Sequence, residues 1–158
     1  MAVFLSWNVA GRVTRQEEQI EAVLGRGCDI VCLQEVTPRT APRWAEALGA
    51  AGYAVELSTW PVAPRGLRRL AVLTAARGSL AVVSGPPLPW PERHLACTVT
   101  LDGARVELRN VHAPLSQKAD RVKVRTLESV FEAVTREDAV PRVVRGLAIN
   151  SRPAQSKE

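Results

Sequence analysis

Apolar residues in the first 27 positions predict a strand followed by an amphipathic helix. Residues 2–9, AVFLSWNV, form a mostly apolar run that is typical of a strand, with Asn8 near its carboxyl end. In residues 14–27 the apolar positions recur three and four apart, the period of one helix face, at Ile20, Val23 and Leu24. Thr14 is followed three residues later by Glu17, a capping-box spacing that predicts the start of this helix at Thr14.

Residues 29–36, DIVCLQEV, pose the main question of this sequence. The run that ends at Leu33 is too apolar for a strand with one solvated face, so we expect this strand to be buried. It nevertheless continues directly into Gln34 and Glu35. A buried strand rarely ends in a carboxylate without cause. A functional site at the end of the sheet would explain why Glu35 is there.

Residues 37–52 predict a second helix, which carries Trp44 and Leu48 and ends near Gly49 or Gly52. The order of elements is therefore strand, helix, strand, helix. Such an order implies a sheet that helices cover on one face.

After residue 52 the sequence pattern changes to short runs of residues that favour β-strands. The predicted strands are 53–58, 68–75, 79–84, 94–101 and 105–112. Asp102-Gly103, between the last two, is the strongest hairpin signal in the chain. The proline-rich residues 84–93, SGPPLPWPER, cannot form a central strand and are expected to be a connection.

A helix and a short strand are predicted for the last third of the chain. Residues 116–136 have apolar positions at helical spacing with charges on the other face, and the predicted stripe is Val124, Leu127, Val130, Phe131 and Val134. After Pro141, residues 142–145 begin as a strand.

The composition is that of an ordinary folded domain. The chain has 158 residues, 46% hydrophobic and 23% charged, which predicts one domain. The net charge is +5, and 18 of the 21 basic residues are arginine, which suits two-point contacts with phosphate. An anionic partner fits this charge, but a GC-rich genome that places arginine on tolerant surfaces explains it as well. We give the second explanation more weight, because net charge governs non-specific association rather than a site.

Cysteine content and the N-terminus favour a cytoplasmic protein. Cys28, Cys32 and Cys97 are an odd number without the paired spacing of a zinc site, which fits a reducing compartment. The apolar start at Met1–Leu5 turns polar at Ser6 and has no basic leader, so we expect neither a secretion signal nor a membrane span.

Polar side chains stand at the ends of three predicted strands: Asn8, Glu35 and His112. Ligands often bind where strands end, because loops there carry groups on a rigid support. A carboxylate suits Mg²⁺, an amide can position a phosphate oxygen, and an imidazole can donate a proton or a hydrogen bond. Each residue also has a plain structural explanation: a turn-forming Asn, a solvated Glu and a structural His.

The segments SWNVAG, DIVCLQE and NVHAP, in this order, resemble the endonuclease/exonuclease/phosphatase family, which includes DNase I-like nucleases and abasic-site endonucleases. The resemblance covers residues 3 to about 145. It implies an α/β (α+β) fold, a four-layer sandwich of two β-sheets flanked by helices. It also implies that Glu35 binds the metal, that Asn8 helps to bind metal and phosphate, and that His112 contacts the scissile phosphate and assists catalysis. The implied cofactor is Mg²⁺, with Mn²⁺ as the alternative.

The chain departs from the family pattern after residue 145. The family's next motif is Gly-Asp-x-Asn, followed later by an Asp and a Ser-Asp-His. Here Gly146 is in register, Leu147 stands in place of the acid, and Asn150 comes one position late. We therefore expect residues 1–145 to be the N-terminal part of the family domain, with an incomplete second half. Residues 146–158 would be an aberrant tail.

A frameshift would explain the tail. Permitted codons for residues 144–152, read one base out of frame, encode Cys-Gly-Asp-Leu-Gln-Ser-Thr-Pro, which restores the missing Gly-Asp. The nucleotide sequence tests this hypothesis: a shifted frame should continue into the later Asp and the Ser-Asp-His.

Three functions are open on the sequence alone. The first is a Mg²⁺-dependent phosphodiesterase, nuclease or phosphatase, impaired by the missing acid and histidine. The second is a non-catalytic module that binds nucleic acid or phosphate through Arg65, Arg68, Arg69 and Arg77. The third is a remnant without a selected function. The sequence leaves the identity of the phosphate ester and the oligomeric state open.

Overall fold

Eight strands and three α-helices make up the described part of the chain. The computed structural model describes residues 2–60, 69–86, 88–113, 121–135 and 141–145. The strands are β1 (Phe4–Asn8), β2 (Ile30–Val36), β3 (Ala54–Leu57), β4 (Ala71–Ala76), β5 (Ser79–Val82), β6 (His94–Leu101), β7 (Ala104–Val111) and β8 (Arg142–Arg145). The helices are α1 (Gln16–Leu24), α2 (Ala41–Ala50) and α3 (Arg121–Val134), with a 3₁₀ turn at Pro91–Arg93.

The first sheet has the strand order β1-β2-β4-β3. β1 and β2 are parallel and are joined through α1, whereas β4 is antiparallel to both β2 and β3. One face of this sheet packs against α1 and α2, and the shared core includes Val23, Leu33, Trp44 and Leu48. This helix-covered sheet confirms the order predicted for the first fifty residues.

The second sheet has the order β5-β6-β7-β8 and packs against the first. Ile30 and Cys32 of the first sheet share a core with Val99 and Leu108 of the second. β7 and β8 are parallel and are connected through α3, so this crossover helix lies on the outer face of the second sheet. The four predicted layers are thus present: helices, sheet, sheet, helix.

The predicted hairpin at Asp102-Gly103 is confirmed. Leu101 pairs with Ala104, and the two residues between them have φ of 49° and 78°. A two-residue turn of this kind requires positive φ at both positions, which Asp and Gly tolerate.

The predicted start of α1 at Thr14 is wrong. The helix begins at Gln16, and its N-cap residue, Arg15, makes no side-chain capping hydrogen bond. Glu17 cannot complete a capping box because its carboxylate pairs with Arg43 of α2, at 2.7 Å. Gln16 is also engaged, since its side-chain amide donates to the carbonyl of Thr40. Contacts between the helices therefore replace the local cap.

The predicted apolar stripe of α3 is only partly right. Val130 is buried, but Phe131 is 66% exposed and Val124 is exposed as well. The buried face instead runs through Thr126, Val130 and Ala133. These positions are four and three apart, so they share one face, and Phe131 lies about 100° around the helix from Val130.

The described residues include no helix with the length and apolar content that crossing a bilayer requires. The predicted tail, residues 146–158, lies outside the described residues, as do residues 116–120 and residue 136 of the predicted last helix. The frameshift hypothesis for the tail remains a prediction that the nucleotide sequence tests.

Candidate active site

Glu35 leaves the regular alternation of β2 through a bulge. Gln34 pairs with Val72 and Val36 pairs with the next residue of β4, Ala71, so Glu35 has no partner of its own. Its φ of 59° lies in the left-handed region, which is strained for a residue with a side chain. Without the bulge, Val36 would point to the face between the sheets, but it packs in the helix-covered core. The bulge therefore directs the Glu35 carboxylate towards the end of the sheet. Bulges often redirect a side chain in this way beside active sites.

Asn8 fixes the Glu35 carboxylate from the neighbouring strand. The Asn8 side-chain amide Nδ2 donates to Glu35 Oε1 at 2.9 Å. Asn8 Oδ1 accepts a hydrogen bond from the backbone N–H of Ala10, also at 2.9 Å, where the chain turns with positive φ. Both ends of the amide are therefore used, one to hold the turn and one to hold the carboxylate.

His112 reaches the same carboxylate from the second sheet. Its Nε2 lies 3.3 Å from Glu35 Oε1, and the residue is buried. Burial and the positive charge of Arg93 lower the pKa of His112, Glu35 opposes both, and the resulting pKa is about 4. The imidazole is therefore neutral at neutral pH. The three side chains that sequence reasoning singled out thus meet at one end of the sandwich.

A buried polar bridge between the sheets holds these residues in register. Gln34 Nε2 donates to Asn110 Oδ1 at 2.9 Å, across the interface of the two sheets. Asn110 Nδ2 in turn donates to the carbonyl of Leu73 at 2.8 Å. Gln34 directly precedes Glu35, and Asn110 stands two positions before His112, so the bridge fixes where both side chains emerge. The sequence analysis did not predict this pair. Both residues are polar and lie within apolar strands, and that pattern could have indicated a buried hydrogen bond.

Arg93 is a further residue at the site that sequence reasoning did not single out. Its guanidinium lies over the ring of Trp90, 4.3 Å from the centroid, and it interacts electrostatically with Glu92 and with Glu35. Its carbonyl accepts the backbone N–H of His112 at 2.8 Å. Burial lowers the pKa of Arg93, but a guanidinium stays charged. Within the described residues the guanidinium has neither an ion pair nor a hydrogen bond, so it is available to an anion.

The geometry around Glu35 suits a divalent cation with few protein ligands. Asn8 and His112 both approach Oε1, and the described residues place no hydrogen-bond donor on Oε2. The side chain of Glu35 is 14% exposed, so the carboxylate is not fully enclosed. Mg²⁺ commonly keeps several waters and uses one or two carboxylates. The described residues contain no cluster of three or more His, Cys, Asp or Glu side chains that could ligate a metal.

The arginines of the binding-module hypothesis do not form one surface around this site. Arg77 follows β4, at the opposite end of the sheet from Glu35, and stacks over the ring of Tyr53 at 4.6 Å. Arg69 precedes β4 and is therefore on the Glu35 end. Arg65 and Arg68 lie outside the described residues.

Comparison with known proteins gives matches of sequence profile and of fold. The profile of the Endonuclease/Exonuclease/phosphatase family matches residues 5–140. An endonuclease/exonuclease/phosphatase family protein from Leptotrichia buccalis C-1013-b superposes with a TM-score of 0.68 at 14% identity, over 91% of this chain and 66% of that chain. An AP endonuclease from Archaeoglobus fulgidus gives 0.63 at 21% identity, over 87% and 53%. D. rerio TDP2, complexed with a single strand DNA product, gives 0.67 at 18% identity, over 90% and 58%. A comparison with curated protein sequences gave no match.

Two packed sheets flanked by helices, with polar side chains at the strand ends, define the DNase I-like class of hydrolase folds. The chain belongs to the Endonuclease/Exonuclease/phosphatase family, whose general chemistry is phosphoester hydrolysis. It spans between about half and two thirds of the length of these three solved structures, 53% to 66%.

The buried His94 predicts a loss of stability in mild acid. Burial, together with the nearby charge of Arg109, lowers the pKa of His94 to about 4. The unfolded chain, with a histidine pKa near 6.5, therefore binds the proton more readily, so stability is full above that pH and is lost as the pH falls towards 4. A shift of this size contributes roughly 3 kcal/mol to the free energy of unfolding.

Denaturant unfolding of the wild type and of His94→Gln at pH 7 and at pH 4 measures this contribution. We expect the free energy of unfolding to fall more steeply in the wild type. Equal falls in the two proteins would show that His94 does not titrate in this way.

Proposed function

We propose that this protein is a Mg²⁺-dependent phosphoesterase whose site is formed by Glu35, Asn8, His112 and Arg93. The observation that carries the proposal is the meeting of Asn8 and His112 on one oxygen of Glu35, at 2.9 Å and 3.3 Å. These residues come from three distant parts of the chain, and the bulge gives Glu35 a strained φ of 59°. Backbone strain from a positive φ at a residue with a side chain is found mainly at functional sites.

Each side chain has a distinct part in this proposal. Glu35 holds the cation through Oε2, while Asn8 keeps the carboxylate in place through Oε1. Arg93 binds a phosphate oxygen of the substrate, since its guanidinium makes no hydrogen bond or ion pair within the described residues and interacts electrostatically with Glu35. His112, neutral at neutral pH, has one N–H, and it would donate this N–H to a phosphoryl oxygen in place of Glu35 Oε1 when substrate binds, rather than act as a cation.

The bound metal would neutralise charge that develops on the phosphoryl oxygens and would orient the phosphate, with Mn²⁺ as the alternative ion. The substrate is a phosphate ester, and a nucleic acid is one candidate because the chain is basic and rich in arginine. The three cysteines are free, which supports a place in the cytoplasm.

Phosphate binding without catalysis is the second candidate function. It is favoured by the described residues at the site, which contain no group of three or more His, Cys, Asp or Glu side chains that could hold a metal. In that case Arg93 would still bind phosphate, with an affinity that falls steeply as salt is added.

A hydrolysis assay separates the two candidates. The full chain is incubated with bis(p-nitrophenyl) phosphate and with p-nitrophenyl phosphate, in Mg²⁺, in Mn²⁺ and in excess EDTA. We expect release of p-nitrophenol with either metal and none with EDTA. Salt-dependent binding of a DNA oligonucleotide without any metal-dependent release would support the binding module instead.

A further inference from the structure

The 3₁₀ turn that carries Arg93 is attached by hydrogen bonds to both sheets. The turn spans only Pro91–Arg93. From the end of β3 in the first sheet, Ser58 Oγ donates to the carbonyl of Glu92 at 2.6 Å. From the end of β7 in the second sheet, the backbone N–H of His112 donates to the carbonyl of Arg93 at 2.8 Å. A 3₁₀ turn of this length has few hydrogen bonds of its own, so these two attachments fix its position.

Ser58 is itself fixed to β4. It directly follows β3 and is buried, with 5% of its surface exposed. Its N–H donates to the carbonyl of Val72 at 3.0 Å, and its Oγ accepts the N–H of Val72 at 3.1 Å. An antiparallel ladder continued past Leu57 would use the carbonyl of Ser58 as this acceptor. The hydroxyl takes its place, and the paired residues of β3 and β4 end at Leu57 and Leu73.

Val72 connects Ser58 to the strand that carries Glu35. In the register between β2 and β4, Val72 is the partner of Gln34, which directly precedes Glu35. The contacts that join Glu35 to the 3₁₀ turn therefore pass through three buried residues: Gln34, Val72 and Ser58. A buried connection of this kind holds its two ends at a constant separation.

The chemistry of the contact requires a hydroxyl at position 58. A serine hydroxyl donates one hydrogen bond and accepts others at the same time, and Ser58 does both. Alanine would take this partner from the Glu92 carbonyl and from the Val72 N–H, and the turn would lose its attachment to the first sheet. The Arg93 guanidinium makes no hydrogen bond or ion pair within the part of the chain that the structure describes. Its position therefore depends on the backbone of the turn.

We propose that Ser58 is a positioning residue for phosphate binding. It sets the place of the Arg93 guanidinium relative to the Glu35 carboxylate, so that one phosphate group contacts both the guanidinium and a cation held by Glu35. The roles of Arg93 and Glu35 in this inference rest on the proposed function. Ser58 acts through the carbonyl of Glu92 and does not contact the phosphate. A displacement of about 1 Å in such an arrangement is enough to weaken it strongly.

Inorganic phosphate tests the role of Ser58 by binding, separately from hydrolysis. The full chain is titrated with phosphate in a buffer that contains Mg²⁺, and binding is followed by phosphorus NMR. We expect Ser58→Ala to weaken phosphate binding about tenfold, as for the loss of one well-placed charge-assisted hydrogen bond. Ser58→Cys replaces the hydroxyl at nearly constant volume, and it should weaken binding to the same extent because a thiol is a poor donor and acceptor.

A double variant shows whether Ser58 acts through Arg93. Arg93→Gln should weaken phosphate binding at least as much as Ser58→Ala. The double variant Ser58→Ala/Arg93→Gln should bind phosphate no more weakly than Arg93→Gln alone, because the guanidinium that Ser58 positions is already absent. In the hydrolysis of bis(p-nitrophenyl) phosphate, Ser58→Ala should raise KM about tenfold and change kcat by about threefold at most, the pattern of lost substrate binding.

Tyr53→Phe is the matched control for stability. It removes a buried hydroxyl at the other end of β3, where Tyr53 donates to the carbonyl of Cys28 at 2.5 Å. Thermal unfolding confirms that each variant is folded and compares the losses of stability. Tyr53→Phe should lose stability as Ser58→Ala does, but it should bind phosphate as tightly as the wild type.

Four results would each overturn the proposal: no phosphate binding by the wild type, unchanged binding in a folded Ser58 variant, a further loss in the double variant, or an equal loss in Tyr53→Phe. If phosphate binding responds as expected but no ester is hydrolysed, the role of Ser58 stands and only the phosphoesterase activity fails. If esters are hydrolysed and Ser58→Ala has the wild-type KM and phosphate affinity, the activity stands and the role of Ser58 fails.

Discussion

Glu35→Ala is expected to lower Mg²⁺-dependent hydrolysis of bis(p-nitrophenyl) phosphate by about 100-fold or more. The substitution removes a carboxylate of the proposed site, so a divalent cation loses a charged ligand. It also removes the oxygen that Asn8 and His112 both approach. Initial rates at saturating and at limiting Mg²⁺ measure the effect and show whether metal affinity or turnover is lost.

Two further variants serve as controls for the loss of activity in Glu35→Ala. Glu35→Gln keeps the size of the side chain and removes its charge, so it should be folded and as inactive as the alanine variant. Glu46→Ala removes an exposed carboxylate of α2 that pairs with Arg43, and it should keep full activity. Metal-dependent activity that survives in both Glu35 variants would show that the metal site has been assigned to the wrong residue.

Asn110→Ala is expected to destabilise the protein by roughly 3 kcal/mol. Asn110 is fully buried between the sheets, where it accepts from Gln34 Nε2 and donates to the carbonyl of Leu73. Alanine would leave these buried groups without their partner and would also open a small cavity. Urea unfolding at pH 7 measures the change in the free energy of unfolding.

Thr74→Val is the matched control for this prediction. It keeps the shape of a buried β-branched side chain and removes a single weaker contact of Asn110, at 3.3 Å. We expect it to cost about 1 kcal/mol or less. Equal losses in the two variants would mean that the bridge between Gln34 and Asn110 does not hold the sheets together. Activity should also fall in Asn110→Ala, because the bridge sets the positions of Glu35 and His112.

Much of the fold follows from patterns that are local in the sequence. Alternating and continuous apolar runs predicted the strands, and Asp102-Gly103 predicted the hairpin between β6 and β7, because these features depend on neighbouring residues alone. The start of α1 and the buried face of α3 were predicted less well. Glu17 pairs with Arg43 of another helix, and Phe131 stays exposed although it is strongly apolar. In both cases contacts with distant parts of the chain decide the outcome.

The sequence by itself determined the order of the elements and the three motifs that carry Asn8, Glu35 and His112. Only the tertiary structure decided that their side chains meet. Strict alternation along β2 would have turned Glu35 towards the helices. It reaches the end of the sheet because a bulge against β4 shifts the register by one residue. The pairing of Gln34 with Asn110, 76 positions apart, then aligns the two sheets. A register between strands is a property of two segments together, and neither segment encodes it alone.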